Sequence, residues 1–483
     1  MRILPAWKSL PFGAGLLLVI LTAPGLMLAA NHYVRAGATG NDSGSDWTNA
    51  YTNLPTSLVR GDTYYLAAGT YAQNGHVFND SGTALITLKT ATPSDHGTST
   101  GWSDSYAGQV VFGGGACNTS VMDFRQGDYV IDGVYRSGWE SGYGMKIALP
   151  PMSACGQGSF FAQVYFEWLT SNPIDNVTLK YIDMPGWGAG VPSWVYHYGI
   201  WGIEGVPQAS GSGGFNNIVF DHLYIHDFAQ YACPITIGQF NNLLVQYTEV
   251  ARNRSTTDFH STSFSDRGSS NVTIRYNFWK DISGTAFVDL LNTGTPMLMN
   301  NWQIYGNVFW EQHWQDAEYT VGDGVINCIN YNVCSNFYIY NNTFANIGWN
   351  ANNGGVEWWG SGTASTNINV YDNLWYNSIR VEPTESAPGQ VKSDYNYYIN
   401  DTSIPTETHT QTGTSNVFKD SANGDFHLTT ETKDGLHLSS PYEVDPDGVK
   451  RGSDNGIWSR GAYQFAPNSS SPDPPSNLAV SVH

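Results

Sequence analysis

The stretch from Glu249 to Arg267 concentrates Glu249, Arg252, Arg254, Asp258, His260, Asp266 and Arg267 in a chain whose charged residues total only 13%. Two chemistries suit such a set. Hydrolysis of a glycosidic bond needs two carboxyl groups, one acting as acid and the other as base or nucleophile. Asp258, Asp289 and Glu357 are the candidates for that pair. Elimination next to a uronate carboxylate needs a cation to neutralise that carboxylate and a base for the adjacent proton. Arg252, Arg254 or Arg267 would be the clamp, and His260 the base. A plainer alternative stands beside both: Asp258 and His260 form a local hydrogen-bonded loop pair, and the arginines bridge neighbouring acids.

These residues are set within a repeated phrase. It reads asparagine, apolar, any residue, apolar, then a second asparagine and an aromatic. Clear copies run from Asn271 through Asn277, Asn301 through Asn307, Asn336 through Asn342 and Asn367 through Asn373. Looser copies begin at Asn176, Asn217 and Asn242. From 217 onward the copies start 25 to 35 residues apart, the period of a solenoid coil. Apolar and polar residues alternate within each phrase, which predicts a short strand with one face inward. One coil cannot bury that face, whereas stacked coils bury a continuous one. The expected fold is therefore all-β, a single-stranded parallel β-solenoid with long loops. Asn277, Asn307, Asn342 and Asn373 are expected to form a hydrogen-bonded ladder at a corner, where asparagine also tolerates left-handed backbone.

Coils superpose, so residues far apart in sequence can share one face. Aligning the second strand of each coil with apolar residues inward gives an outward column of Trp201, Thr236, His260, Asp289, Asn327 and Glu357. At about 4.8 Å per coil, His260 and Asp289 would be neighbours and Glu357 two coils further. His222 and His226 flank a coil strand and read as structural, Arg275 and Lys280 as solvated, and His313 as a loop residue. Stretches 136–170 and 184–215 do not follow the phrase and read as loops leaving the solenoid, where binding clefts are commonly shaped. The second is dense in aromatics, and Trp187, Trp194, Tyr198 and Trp201 are candidate platforms for a sugar ring.

The formal charge of −20 excludes non-specific nucleic-acid binding. Residues 1–30 read as an export signal, with Arg2 and Lys8 before an apolar run ending in small residues; a retained anchor is the alternative. Residues 31–466 form the solenoid domain, and 467–483 a Pro/Ser-rich linker and tail. After cleavage no membrane partner is expected, and a polysaccharide is. Of the five cysteines, Cys117 with Cys155 and Cys328 with Cys334 are candidate bridges, leaving Cys233 in an apolar setting. No zinc spacing is present. The many Asp and Asn suit Ca²⁺, although no loop has a calcium-loop spacing.

The segment from Gly40-Asn-Asp-Ser-Gly-Ser-Asp-Trp47 to Gly61-Asp62 and Leu66-Ala-Ala-Gly69-Thr-Tyr71 resembles the entry of secreted right-handed parallel β-helix proteins of the pectate-lyase-like superfamily. Asp445-Pro-Asp-Gly-Val-Lys-Arg451 followed by Gly461-Ala-Tyr-Gln-Phe465 resembles the segment that closes the last coils there. The resemblance implies a right-handed β-helix acting on a polysaccharide, and it favours elimination over hydrolysis. The paired-Asp and Gly-His-Gly arrangement of polygalacturonases is missing, as is the Asp-Pro-His pattern of alginate epimerases.

Overall fold

A computed structural model describes residues 29–115, 117, 120–155, 161–167, 173–188, 200–205, 214–228, 233–253, 260–291, 297–313, 324–329, 332–348, 354–358 and 365–467. The export segment up to residue 28, Trp194, Tyr198, Arg254, Asp258 and the tail from 468 lie outside the described residues. Of His260 only the backbone is described.

Each coil contributes a strand to three parallel sheets. Sheet one holds the phrases themselves, for example Phe240–Gln246, Ser270–Arg275, Leu298–Tyr305, Val333–Tyr340 and Thr366–Tyr371. Sheet two holds the strands that follow, such as Glu249–Asn253, Phe278–Gly284, Val308–Trp310, Thr343–Ala345 and Leu374–Tyr376. Two longer strands, Ile174–Pro185 and Phe215–His226, bend through both. Sheet three consists of ten short strands from His76–Phe78 to Thr384–Glu385. The described residues contain no α-helix, and the architecture is a right-handed parallel β-helix.

The register follows the phrase. Leu243, Val272, Trp302, Phe337 and Ile368 pair in sequence across sheet one, all buried. Inside the coil they meet a second stack, Trp279, Phe309, Phe344 and Trp375, with successive ring centroids 6.0, 5.1 and 4.1 Å apart. Large rings at matching positions of successive coils make the interior continuous, so each coil buries its neighbour's apolar face.

The asparagine ladder occupies the corner between sheets one and two. Asn277 donates through its backbone N–H and Nδ2 to Oδ1 of Asn307, each at 3.0 Å, and the same pair of bonds recurs from Asn307 to Asn342 and Asn342 to Asn373. Asn373 repeats it to Asn396, whose Nδ2 reaches Glu407 at 2.7 Å. The ladder residues themselves do not take the left-handed backbone. That conformation falls one residue earlier, at Tyr276, Gly306, Asn341 and Asp372, and on the first asparagine of each phrase. The corner thus divides its two demands, turning on one residue and hydrogen-bonding on the next.

Three findings concern the chain outside the clear phrases. Stretches 136–170 and 184–215 are not loops throughout, because Met145–Ala148, Phe161–Phe166 and Ile200–Gly205 are coil strands lacking the asparagine signature. Both disulfides form as paired above, and the Cys233 sulfur lies 3.6 Å from Thr262 Oγ1. The closing segment runs back along the side of the solenoid: Tyr442 packs on Tyr305 and Tyr340, and the Ala462 N–H donates to Thr343 Oγ1. Arg451 and Arg460 are buried there, donating to backbone carbonyls.

Candidate active site

Sheet three carries one outward residue per coil between two inward ones, apolar in most coils but Phe264 and the buried acid Asp266 beside Ser265. Its register pairs Asp123 with Tyr165, Tyr165 with Glu204, Glu204 with Thr236, and Thr236 with Ser265. It continues from Ser265 to Asp289, Asn327 and Glu357. The inward neighbours, including Ile203, Ile235, Phe264, Val288, Ile326 and Val356, are core. Thr236, Asp289, Asn327 and Glu357 therefore stand in one column, as the sequence predicts.

Two members of the predicted column do not. Trp201 pairs with Ala162 three positions before Glu204, on the same parity as inward Ile203. His260 belongs to a two-residue strand antiparallel to Ser283–Gly284, at the bend before sheet three. In both segments apolar residues at several offsets permit more than one register, and the residues that reach the column are Glu204 and Ser265.

The column faces outward yet is nearly excluded from water, with Thr236, Ser265, Asp289, Asn327 and Glu357 each at most 6% exposed. Asn327 accepts the Leu290 N–H at 3.0 Å, while its Nδ2 has no hydrogen-bond partner. Asp123 is held by Arg125 through one oxygen at 2.6 Å, and its other oxygen has no partner. Glu204 likewise leaves Oε2 without a partner, and burial, weakly opposed by Arg267, pushes its carboxyl up to about 7. Thr236 lies within hydrogen-bonding reach of the Cys233 thiol. Arg267 pairs with Gly238 two residues past the column, exposed on the same face.

Arg252 does not join this face. It sits at the end of a sheet-two strand and donates to both oxygens of Asp227 at 2.7 and 2.9 Å, to Tyr224 Oη at 2.5 Å and to Glu140 at 3.4 Å. Although burial raises the Asp227 carboxyl, hydrogen bonds from Arg252 and His226 hold it well below the usual carboxylate range. The predicted clamp is a structural ion pair, because the strand register turns Arg252 toward sheet two's own acids. Lys280, expected to be solvated, bonds Glu140 at 3.0 Å, and Arg275 bonds the Gln246 amide at 2.7 Å. Trp187 is half-buried and donates from Nε1 to Pro150 O at 2.8 Å, which ties it to the neighbouring chain. His313 binds Asp281 at 2.7 Å on the rim of sheet two.

Among the described residues no group of three or more His, Cys, Asp or Glu could hold a metal ion.

Sequence reasoning missed Asp123, Tyr165, Glu204 and Ser265. A signal existed for Glu204, since Ile203-Glu204-Gly205 offers one inward apolar residue beside one acid.

No protein-family model matches this chain, and no curated protein does. Among solved structures it is similar in course to pectate lyase Pel9A, with 14% identity over 92% of this chain and 98% of that one, TM-score 0.40. It is similar to a lacto-N-biosidase of family GH136 from Eubacterium ramulus, with 8% identity over 80% and 68%, TM-score 0.39. A polysaccharide lyase of family PL6 from Pseudopedobacter saltans aligns with 11% identity over 79% and 94%, TM-score 0.34. The three-sheet register defines the chain as a parallel β-helix. No helix among the described residues is long and apolar enough to cross a membrane.

Proposed function

We propose that this is an exported carbohydrate-active enzyme that lays a polysaccharide along the outer face of sheet three and cleaves a glycosidic bond by hydrolysis. The observation that carries this reading is the placement of Asp289 and Glu357 on one outward, nearly dry column with Asn327 between them. Two strand spacings place the backbones about 10 Å apart, a separation from which the side chains can reach the roughly 6.5–9.5 Å between carboxyls that leaves room for a water in inversion. One carboxyl protonates the leaving oxygen while the other activates that water, and the Asn327 amide offers a donor to the ring held between them. The outward face also bears Asp123, Glu167 and Glu204 against Arg125 and Arg267, an excess of acids that suits an uncharged glycan.

A second reading is elimination from a uronate. Exposed Arg267 favours it, with His260 as base and Asp258 and Arg254 in the segment leading to it. Purified protein incubated with neutral and uronic-acid polysaccharides, with Ca²⁺ and with chelator, separates the two. Hydrolysis yields reducing ends alone and is indifferent to chelator. Elimination adds the ultraviolet absorbance of the unsaturated product. Silence across a broad panel would leave a glycan-binding solenoid.

A further inference from the structure

We propose that the Cys328–Cys334 disulfide is a positioning element for cleavage, holding Asn327 and Asn332 where they fix the backbone beside Asp289. The inference rests on the hydrolytic reading above and extends it to a pair of residues buried beneath the column. Cys328 lies on the sheet-three strand Ile326–Ile329 and Cys334 on the sheet-one strand Val333–Tyr340, and both are fully buried. Cys328 directly follows Asn327, the residue that stands between Asp289 and Glu357. From this bridged coil two side chains reach one residue of the preceding coil. The Leu290 N–H donates to Asn327 Oδ1 at 3.0 Å, and the Leu290 carbonyl accepts from Asn332 Nδ2 at 2.7 Å, both bonds buried. The peptide groups on either side of Leu290 are thus held, and the first of them is the peptide that joins it to Asp289.

Filling the interior does not require this bridge. The preceding coil places Leu290 and Met299 opposite Cys328 and Cys334, and both are fully buried with no covalent link. Closing a sequence separation of 6 also removes less freedom from the unfolded chain than the separation of 38 closed by Cys117 and Cys155. What the link adds at this coil is a fixed spacing. Catalytic carboxyls demand one, since a misplacement of about 1 Å can cost about a hundredfold in rate. The bridge falls on the coil flanked by Asp289 on one side and Glu357 on the other.

The test uses the full chain with Cys328→Leu/Cys334→Met, which copies the apolar pair of the preceding coil. The double variant is expected to lose about 10–100-fold in kcat on a cleaved glycan, with KM held within about threefold. Hydrogen–deuterium exchange of the unliganded protein should quicken at 288–291 and stay unchanged at 235–238. Asn332→Ala keeps the bridge, carries the test where the double variant does not fold, and should lower kcat by about tenfold or less. Removing the other bridge by Cys117→Ser/Cys155→Ser should lower the thermal midpoint while kcat holds. A double variant with wild-type kcat would overturn the proposal, whatever its midpoint. So would unchanged exchange at 288–291, or an equal loss of kcat on removing the Cys117–Cys155 bridge, which marks general loosening. Asp289→Asn at the wild-type rate would sink the hydrolytic reading itself, and quickened exchange at 288–291 would then make the bridge a structural staple alone.

Discussion

The asparagine column between sheets one and two and the outward column of sheet three each place one polar side chain on successive coils. In the first, amides repeat on every coil, and each is donor to the next and acceptor from the last. Amides are self-complementary, so such a column saturates itself and needs nothing from outside. In the second, carboxyl, hydroxyl and amide side chains follow one another in no fixed order, and Asp123, Glu204 and Asn327 each retain an unpaired polar atom. The asparagine column is architecture, and the sheet-three column is the candidate place for a ligand.

The strongest way to break this contrast is to remove the cleaving carboxyls. Asp289→Asn or Glu357→Gln should lower turnover on a cleaved glycan by about 10²–10⁴-fold, as loss of a general acid or base does, with the fold unaltered. Reducing-end assays check it, and residual turnover within tenfold of wild type would remove that residue from the machinery. Asn307→Ala attacks the other column. It leaves the Asn277 N–H without its acceptor, removes one of the two acceptors of Asn277 Nδ2 and takes a donor from the Ile274 carbonyl, and should cost about 3 kcal/mol or more in urea unfolding at roughly 1–3 kcal/mol for each buried group. A cost under 1 kcal/mol would show the ladder to be ornamental.

A smaller effect separates the two arginines. Arg252→Ala should destabilise by about 1–2 kcal/mol, a figure discounted because Asp227 is partly exposed to screening water. Arg267→Ala should alter stability by less than about 0.5 kcal/mol while changing glycan affinity. Equal destabilisation by both would erase the distinction between sheet two and sheet three.

A pH dependence sharpens the comparison further. Folding raises the Glu204 carboxyl to about 7 from its ordinary value near 4.5. Between those values the unfolded chain is ionised while the folded one keeps its proton, so stability falls as pH rises through this window. Glu204→Gln removes the effect, and its gain in thermal midpoint should be larger at pH 8 than at pH 5. A gain independent of pH would mean that Glu204 is not desolvated.

Much of this was legible before any coordinates. The alternation in Asn271–Phe278 and its copies gave strand, coil and ladder, because each phrase carries both the apolar period and the corner residue. Asp289 and Glu357 fell into register because each follows a single inward valine, Val288 or Val356. Trp201 and His260 did not, for a physical reason. The β-helix fixes the pairing of its strands but not the length of the bend before sheet three. Ile200 and Ile203 can each be read as the inward residue, and the sequence between Asn253 and Phe264 carries no period that fixes where Phe264 falls. The ion pairs of Arg252 were equally hidden, since Glu140 lies 112 residues away.

Hydrogen–deuterium exchange of the Glu357→Gln protein, with and without a saturating neutral oligosaccharide, tests the central claim most directly. The account predicts protection along sheet three, at 235–238, 264–267, 288–291 and 326–329, with sheet two at 249–253 and 278–284 unchanged. Protection confined to sheet two, or bound glycan with no protection on sheet three, would contradict it.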